Sequence, residues 1–244
     1  GYGEDPYTNA AFCVASVNGY QGDDLKSSDR VAACLKHYVG YGASEAGMDY
    51  VYTEISNQTL WDTYLPPYEA GIKAGAQTVM SSFNDISGTP GSGNHYTMTE
   101  ILKNRWKHDG FVVSDWSAVP QLIAQGAAAD SKDAARVAFN AGLEMDMMGR
   151  CYDKHLETLV KEGTVSMERI DDAVRRILRV KFRLGLFENP YTPVAKPEER
   201  FLLSQSKAVA ERLAEECIVL LKNEGGILPL QPEGASTTTI AVMG

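Results

Sequence analysis

Short apolar, β-rich runs recur along this chain, the last three at a nearly constant spacing, and that spacing restricts the folds open to it. The runs are Val31 to Tyr38, Thr78 to Phe83, Phe111 to Asp115 and Leu143 to Met147, with helical patterns between them. Thr78 and Phe111 lie 33 residues apart, and Phe111 and Leu143 lie 32 apart. A strand with its crossover helix takes about 30 residues. The chain therefore predicts an α/β fold of consecutive parallel strands.

The segments between the strands carry helix punctuation. Thr97-Met98-Thr99-Glu100 predicts a capping box, in which the Thr oxygen takes an orphan N–H and the Glu reaches back to the cap. Pro66 and Pro67 suit the first turn of a helix running towards Ala74, with Gly75 ending it. After Ser166, the residues Ile170, Ala173, Val174, Ile177 and Leu178 recur at helical spacing. They predict a core face opposite an arginine-rich solvent face, with a stop at Gly185. Glu188 to Glu199 contains Pro190, Pro193 and Pro197 with little apolar period and reads as a linker. Beyond it the pattern predicts a helix with Val209, Ala210, Leu213 and Ala214 inward and a strand from Cys217 to Leu221. A turn through Gly225-Gly226 and a last strand from Thr239 to Met243 follow.

Charge narrows the partners. The 244 residues, 44% of them apolar, include 23 Lys and Arg against 32 Asp and Glu, a net charge of −9, with no basic block. Phosphate backbones and anionic membranes repel such a surface, so neither nucleic acid nor membrane is an expected partner. The longest fully apolar stretches fall far short of the ~20 residues of a membrane span. Cys13, Cys34, Cys151 and Cys217 form no C-x-x-C pair and read as buried small apolar residues. Met145, Met147 and Met148 read as core filler. The chain opens without an initiator Met or a signal-peptide pattern, and its last α/β unit looks unfinished, which reads as truncation.

Parallel strands covered on both faces are apolar along their length, so polar residues at their C-terminal ends need a reason. Lys36-His37 ends the first strand, Asn84-Asp85 follows the second, Ser114-Asp115-Trp116 ends the third, and Glu144 and Asp146 punctuate the fourth. A barrel of βα units and an open doubly wound sheet both place ligands on that face, so the architecture stays open. Asp115 has two readings, a helix N-cap or a catalytic carboxylate. Lys36 and His37 could be a salt-bridge partner and a satisfied core residue. With Asp115, they could instead set a cation and an imidazole around a hydroxylated ligand. Trp116 is either packing or a platform for the C–H face of a pyranose. Glu144 and Asp146 are read as pointing to opposite faces of their strand, and so not as a pair lining one site.

These residues resemble glycoside hydrolase family 3, in its β-glucosidase branch of bacterial periplasmic type. The matching motifs are Gly3-Glu4-Asp5-Pro6, Lys36-His37-Tyr38, Tyr64-Leu65-Pro66-Pro67-Tyr68, Val79-Met80-Ser81-Ser82-Phe83-Asn84, Phe111-Val112-Val113-Ser114-Asp115-Trp116 and Val219-Leu220-Leu221-Lys222-Asn223. They run in the family's order over essentially the whole chain. The resemblance implies part of a (β/α)8 barrel over residues 1–188, a linker over 189–205 and the start of an α/β sandwich over 206–244. It implies a retaining β-glucosidase acting on β-glucosides or oligosaccharides, located in the periplasm or secreted, with no metal or organic cofactor.

By the same resemblance Asp115 is the nucleophile, and Lys36 and His37 hydrogen-bond the hydroxyls of the sugar in the −1 subsite. Trp116 shapes the next subsite. Phe83 stands where many members have a Tyr near the nucleophile; it has no phenolic hydrogen to donate. The resemblance also places a sugar-binding Asp and a W-G-R run before Gly1, and the general acid/base Glu after Gly244. The branch cleaving N-acetylglucosaminides is disfavoured, because Gly40 to Gly47 contains no His.

Two rival readings remain. A Schiff-base aldolase would use Lys36, provided that its amine is desolvated. A barrel fragment that binds sugar, or serves only as structure, would turn nothing over.

Overall fold

The structure, a computed structural model, describes residues 1–191, 204–230 and 241. It divides into two compact units, Gly1–Thr192 and Pro193–Gly244.

In the first unit, α1 (Pro6–Gln21) opens on Asp5, whose carboxylate accepts the N–H groups of Tyr7 and Thr8. β1 (Cys34–Tyr38) follows, and helical turns then lead into α2 (Pro66–Lys73), which has its two prolines in the first turn as expected. Gly75, at φ +95°, ends it. Next come β2 (Thr78–Ser81), a small ribbon of β3 (Asp85–Ile86) and β4 (Thr89–Pro90), the π-wound helix α3 (Tyr96–Arg105) and β5 (Phe111–Val113). Four helices complete the unit: α4 (Ala118–Ala124), α5 (Ser131–Ala141), α6 (Cys151–Lys161) and α7 (Met167–Arg183).

The expected α/β pattern is present. β1, β2 and β5 pair in parallel in that order, with Val79 facing Leu35 on one side and Val112 on the other. Val79 and Val112 are buried with Met98, Leu102, Leu122 and Ala138, so helices cover the sheet with an apolar core.

Several sequence expectations fail for identifiable reasons. The first run becomes a strand only from Cys34, and Leu143 to Met147 forms no strand beyond a bridge between Met145 and Val113. The N–H groups of Glu144 and Met145 both reach the Val112 carbonyl. The Glu144 carboxylate then takes the Val112 N–H, a place that a neighbouring strand's carbonyl would otherwise fill. α3 is not capped by Thr97: its N–H is accepted by Asn94 Oδ1 at 3.1 Å, and Glu100 accepts from Asn104 instead of reaching back. Cys151 is buried as expected, but Cys13 is half-buried, Cys34 and Cys217 are exposed, and none of the four is paired. Met145 and Met147 are half-buried and Met148 is exposed, so the methionine run is not core.

The second unit has α8 (Ser204–Glu216), whose residues are exposed throughout, so Val209, Ala210, Leu213 and Ala214 do not face a core. Cys217 to Leu221 forms no strand. The Asn223 side chain closes the following turn, donating to the Leu228 carbonyl at 2.8 Å and accepting its N–H at 3.0 Å. The stretch expected as the last strand, Thr239 to Met243, lies outside the described residues except for Ala241, and so does most of the expected linker.

α7 departs most from expectation. Ser166 caps it and Ala173 and Val180 are buried, but Val174 and Leu178 lie on the surface. Of its arginines, Arg175 stays exposed, while Arg176, Arg179 and Arg183 reach inward to other elements. Arg183 grips Asp109 with a two-pronged pair at 2.8 and 2.6 Å and reaches Gln77 Oε1 at 3.0 Å. Arg179 donates to the Asp109 carbonyl, and Arg176 donates to the carbonyls of His108 and Gly110 at 2.8 and 3.1 Å. Gln77 precedes β2 and residues 108–110 precede β5, so one helix ties down the entry of two strands. Gly110 is required there because a Cβ would stand 1.8 Å from the Gln77 carbonyl oxygen.

This charged belt encloses His108, which is buried and has no partner for Nε2 among the described residues. Burial first, and then the positive charge of Arg176, push its pKa down to about 4, while Asp109 pulls the other way. The unfolded chain takes up this proton near pH 6.5 and the folded chain refuses it until about 4, so stability falls as pH falls through that window. The imidazole's share is on the order of 3 kcal/mol. Thermal melts from pH 7 to pH 4 should show His108→Gln losing much less stability across the window than the parent chain; parallel curves would exclude His108 as the acid-labile group.

Candidate functional site

β5 delivers Asp115. The strand ends at Val113, and Ser114 is fully buried and bonded on both sides: its Oγ accepts the Met147 N–H at 2.8 Å and donates to the Asp115 carbonyl at 2.9 Å. Its own N–H donates to the Met145 carbonyl at 2.8 Å. The chain is thus fixed up to the residue before the carboxylate.

The Asp115 side chain is not the cap of α4. That helix starts after Ser117, which makes no capping bond, and only the Asp115 main-chain carbonyl accepts the Ala118 N–H. The carboxylate has two other neighbours. Oδ1 accepts the Trp116 N–H at 2.7 Å, and Oδ2 lies 3.3 Å from His37 Nε2, with 16% of the Asp side chain and 29% of the His side chain exposed.

His37 comes from β1, whose pairing with β2 is irregular between Leu35 and Tyr38. The Tyr68 hydroxyl, from α2, donates to the His37 carbonyl at 2.7 Å and fixes the backbone behind the ring. Partial burial, and then the adjacent Lys36 charge, lower the His37 pKa against the upward pull of Asp115 and Asp49. A neutral imidazole facing an acceptor-only carboxylate carries its proton on Nε2, which leaves Nδ1 free to accept. Lys36 is exposed and makes no ion pair among the described residues.

A groove of about 710 Å³ runs beside β1, walled by Lys36, His37, Tyr41, Tyr64 and Tyr68 together with the first residues of the chain. Asp115 does not line it; the groove reaches the carboxylate through His37. Tyr41 packs edge-on against His37 at 5.3 Å and tilts towards Phe83 at 6.2 Å. Tyr50 meets Phe83 edge-on at 4.9 Å. Trp116 is 61% exposed, so its ring is not core packing.

The structure therefore brings Asp115 and His37 together, sets Lys36 next to His37 in the groove, and packs Phe83 against Tyr41 and Tyr50. Asn84 and Asp85 serve the scaffold: the Asn84 amide donates to Thr53 Oγ1 at 2.9 Å, and Asp85 accepts the Thr53 N–H at 3.1 Å. Asp146 accepts the Cys151 N–H at 2.7 Å and the Gly149 N–H at 3.2 Å, holding the start of α6. Glu144 is buried in an ion-pair network. These two carboxylates have separate duties, but strand alternation is not the reason, since residues two apart share a face. Sequence reasoning missed Tyr41, Tyr50 and the His37 support from Tyr68. Tyr68 stood inside a quoted motif, while the other two carried no local signal. No group of three or more His, Cys, Asp and Glu side chains among the described residues is arranged to hold a metal ion.

Comparisons with known proteins give this geometry a context. The chain is 38% identical over its whole length to the periplasmic beta-glucosidase of Salmonella typhimurium, of which it covers 32%. It is 32% identical, again over its whole length, to a beta-xylosidase of Formosa agariphila, covering 35% of that protein. The chain thus spans about a third of the length of the curated relatives it matches. Among solved structures, the beta-glucosidase from Listeria innocua in complex with isofagomine aligns with a TM-score of 0.89 and 39% identity, over 93% of this chain and 33% of that one. An exo-1,3/1,4-beta-glucanase from a Pseudoalteromonas species aligns at 0.84 with 34% identity, over 94% of this chain and 29% of that one. The model of the glycosyl hydrolase family 3 N terminal domain matches residues 1–180, and with relatives of this identity along its whole length, the chain belongs to glycosyl hydrolase family 3.

Proposed function

We propose that the chain carries the nucleophile side of a retaining β-glucosidase site, with Asp115 attacking the anomeric carbon of a β-glucoside. The observation that carries this reading is the state of Asp115. It ends a parallel strand, does not cap the next helix, and faces an imidazole beside an open groove. A carboxylate held this way is positioned for chemistry at the strand-end face.

In the first step Asp115 forms an ester to the anomeric carbon as the glycosidic bond breaks, and the leaving oxygen takes a proton. Water then attacks the same carbon, giving a proton to the group that protonated the leaving oxygen, and releases glucose and the free carboxylate. Lys36 and His37 hold sugar hydroxyls, and Trp116 offers a face to the next residue of the substrate. The protonating carboxyl belongs about 5 to 5.5 Å from Asp115. Glu144 and Asp146 are both consumed by structural bonds and do not fill that role. The Schiff-base alternative loses its physical basis, because Lys36 stands open to water.

In the same reading, residues 1–188 form the barrel portion, 189–205 the linker and 206–244 the start of a sandwich domain. The division of the chain after Thr192 supports a boundary in that linker. A periplasmic location is proposed from the name of the Salmonella relative.

Two experiments on the full-length gene product test the site. A dinitrophenyl 2-deoxy-2-fluoro-β-glucoside needs no acid to release its leaving group, so it isolates the nucleophilic step. The wild type should gain one fluoroglucosyl group on Asp115, and Asp115→Asn should gain none; label on another residue would reject the assignment, and absence of both label and turnover would favour a sugar-binding role. An aryl β-xyloside run in parallel separates glucosidase from xylosidase specificity.

Lys36→Met and His37→Ala should each lower kcat/KM roughly 10- to 100-fold, since a lost charge-assisted hydrogen bond costs about 1.5 to 3 kcal/mol. Their melting temperatures should barely move, because both side chains sit at the rim of the core. A large drop in melting temperature with unchanged kcat/KM would make them structural residues.

A further inference from the structure

The Glu144 side chain has no exposed surface, and every bond it makes leads to an element that sets the position of β5. One oxygen, Oε1, accepts from the Lys103 ammonium on α3 and from Arg169 Nη2 on α7, the latter at 2.8 Å. The other, Oε2, accepts the Val112 N–H in the middle of β5 at 2.7 Å. The cations are anchored in turn: Lys103 donates to the Gly142 carbonyl, and Arg169 Nε donates to the Phe139 carbonyl at 3.1 Å.

A parallel strand neighbour would ordinarily supply a carbonyl for the Val112 N–H. Here a carboxylate supplies the acceptor, so β5, laddered to β2 on one side, is referred on its other side to two helices. Val112 lies three residues before Asp115. The interval is rigid, because Ser114 is buried and bonded both to Met147 and to the Asp115 carbonyl. Residues 144–147 therefore hold the chain at Val112 and again at Ser114, immediately before the carboxylate.

We propose that Glu144 is a positioning residue for Asp115, setting the nucleophile's distance to the anomeric carbon through β5. The inference rests on the reading of Asp115 as nucleophile. A carboxylate paired with two cations suits this role because its two oxygens accept from both sides at once, whereas an amide in its place would turn an N–H group towards a donor on one side. Displacement of a reacting group by about 1 Å costs on the order of 100-fold in rate.

The test uses the full-length gene product and the dinitrophenyl 2-deoxy-2-fluoro-β-glucoside, and reads the maximal inactivation rate separately from the concentration giving half of it. Glu144→Gln should slow the maximal rate about tenfold or more and leave the half-saturating concentration within about twofold, since the sugar contacts are untouched. Arg169→Lys keeps a cation with fewer donors and should show a smaller loss of the same kind. It carries the test if Glu144→Gln does not fold. Asp130→Ala removes the cap of α5, where Asp130 accepts the N–H groups of Lys132 and Asp133, and should lower the melting temperature without slowing inactivation. Variants of Glu144 and Arg169 that melt earlier but inactivate at the wild-type rate would overturn the inference while leaving the nucleophile in place. A wild type that takes no label on Asp115 would overturn both.

Discussion

A buried carboxylate is tolerable only while its partners stay in place, and the first unit is arranged to keep Glu144 paired. An ion taken out of water forfeits several kcal/mol even after relaxation, and losing one partner of a buried pair costs about 3 to 5 kcal/mol. That is a large share of the ~5 to 15 kcal/mol by which a domain is stable. The partners come from α3 and β5, which follow one another in the chain, and from α7, which lies far beyond them, so satisfying one charge assembles three parts of the fold. Arginine suits this better than lysine because its planar fork serves several acceptors at once. Arg169 binds Glu144 through Nη2 and the Phe139 carbonyl through Nε, with its guanidinium 4.7 Å over the Phe139 ring.

The same helix serves the opposite end of the sheet. Arg176, Arg179 and Arg183 occupy the carbonyls and the carboxylate where β5 begins and the amide just before β2. The entry ends of these strands are therefore closed by charge-assisted bonds. Towards the exit side of the sheet, His37 on β1 faces Asp115 beyond β5, and His37 and Lys36 border an open groove. Stability at one end and free polar groups at the other is the division of labour expected of strands in βα units. It explains how Asp115 can be kept from capping α4: its position is already fixed by contacts elsewhere.

The sequence made some of this legible and hid the rest for physical reasons. The 33-residue interval between the Thr78 and Phe111 runs predicted a parallel pair, because strand and crossover lengths are set by geometry. The polar strand ends marked Asp115 and His37, because a buried parallel strand leaves few other reasons for such residues. The inward arginines of α7 were hidden because an amphipathic reading assigns charge to solvent, and their acceptors lie 66 to 74 residues earlier, at His108, Asp109 and Gly110, with Gln77 106 residues earlier. Turning that helix towards polar acceptors left Val174 and Leu178 outside. Glu144 was hidden in the same way, since its value as a strand-ladder acceptor exists only once α3 and α7 have brought their cations to it. Tyr41 and Tyr50 gave no signal because their partner Phe83 lies across a loop, at a distance that no local period encodes.

Phe83 shows what the orientation of the Asp115 carboxylate depends on. The family resemblance places a Tyr at that position in many members, where a phenol could donate to the carboxylate. A phenyl ring removes that donor. Asp115 here has two N–H neighbours, the Trp116 backbone at 2.7 Å and His37 Nε2 at 3.3 Å, one for each oxygen. The first is fixed by the turn out of β5 and survives any substitution of Trp116 other than proline. The second depends on His37 keeping its ring where the Tyr68 hydroxyl and the Tyr41 edge hold it. With Phe83 contributing only an apolar wall, control over the orientation of the carboxylate passes from a phenol to that imidazole, and with it to the residues that hold β1 beside β2.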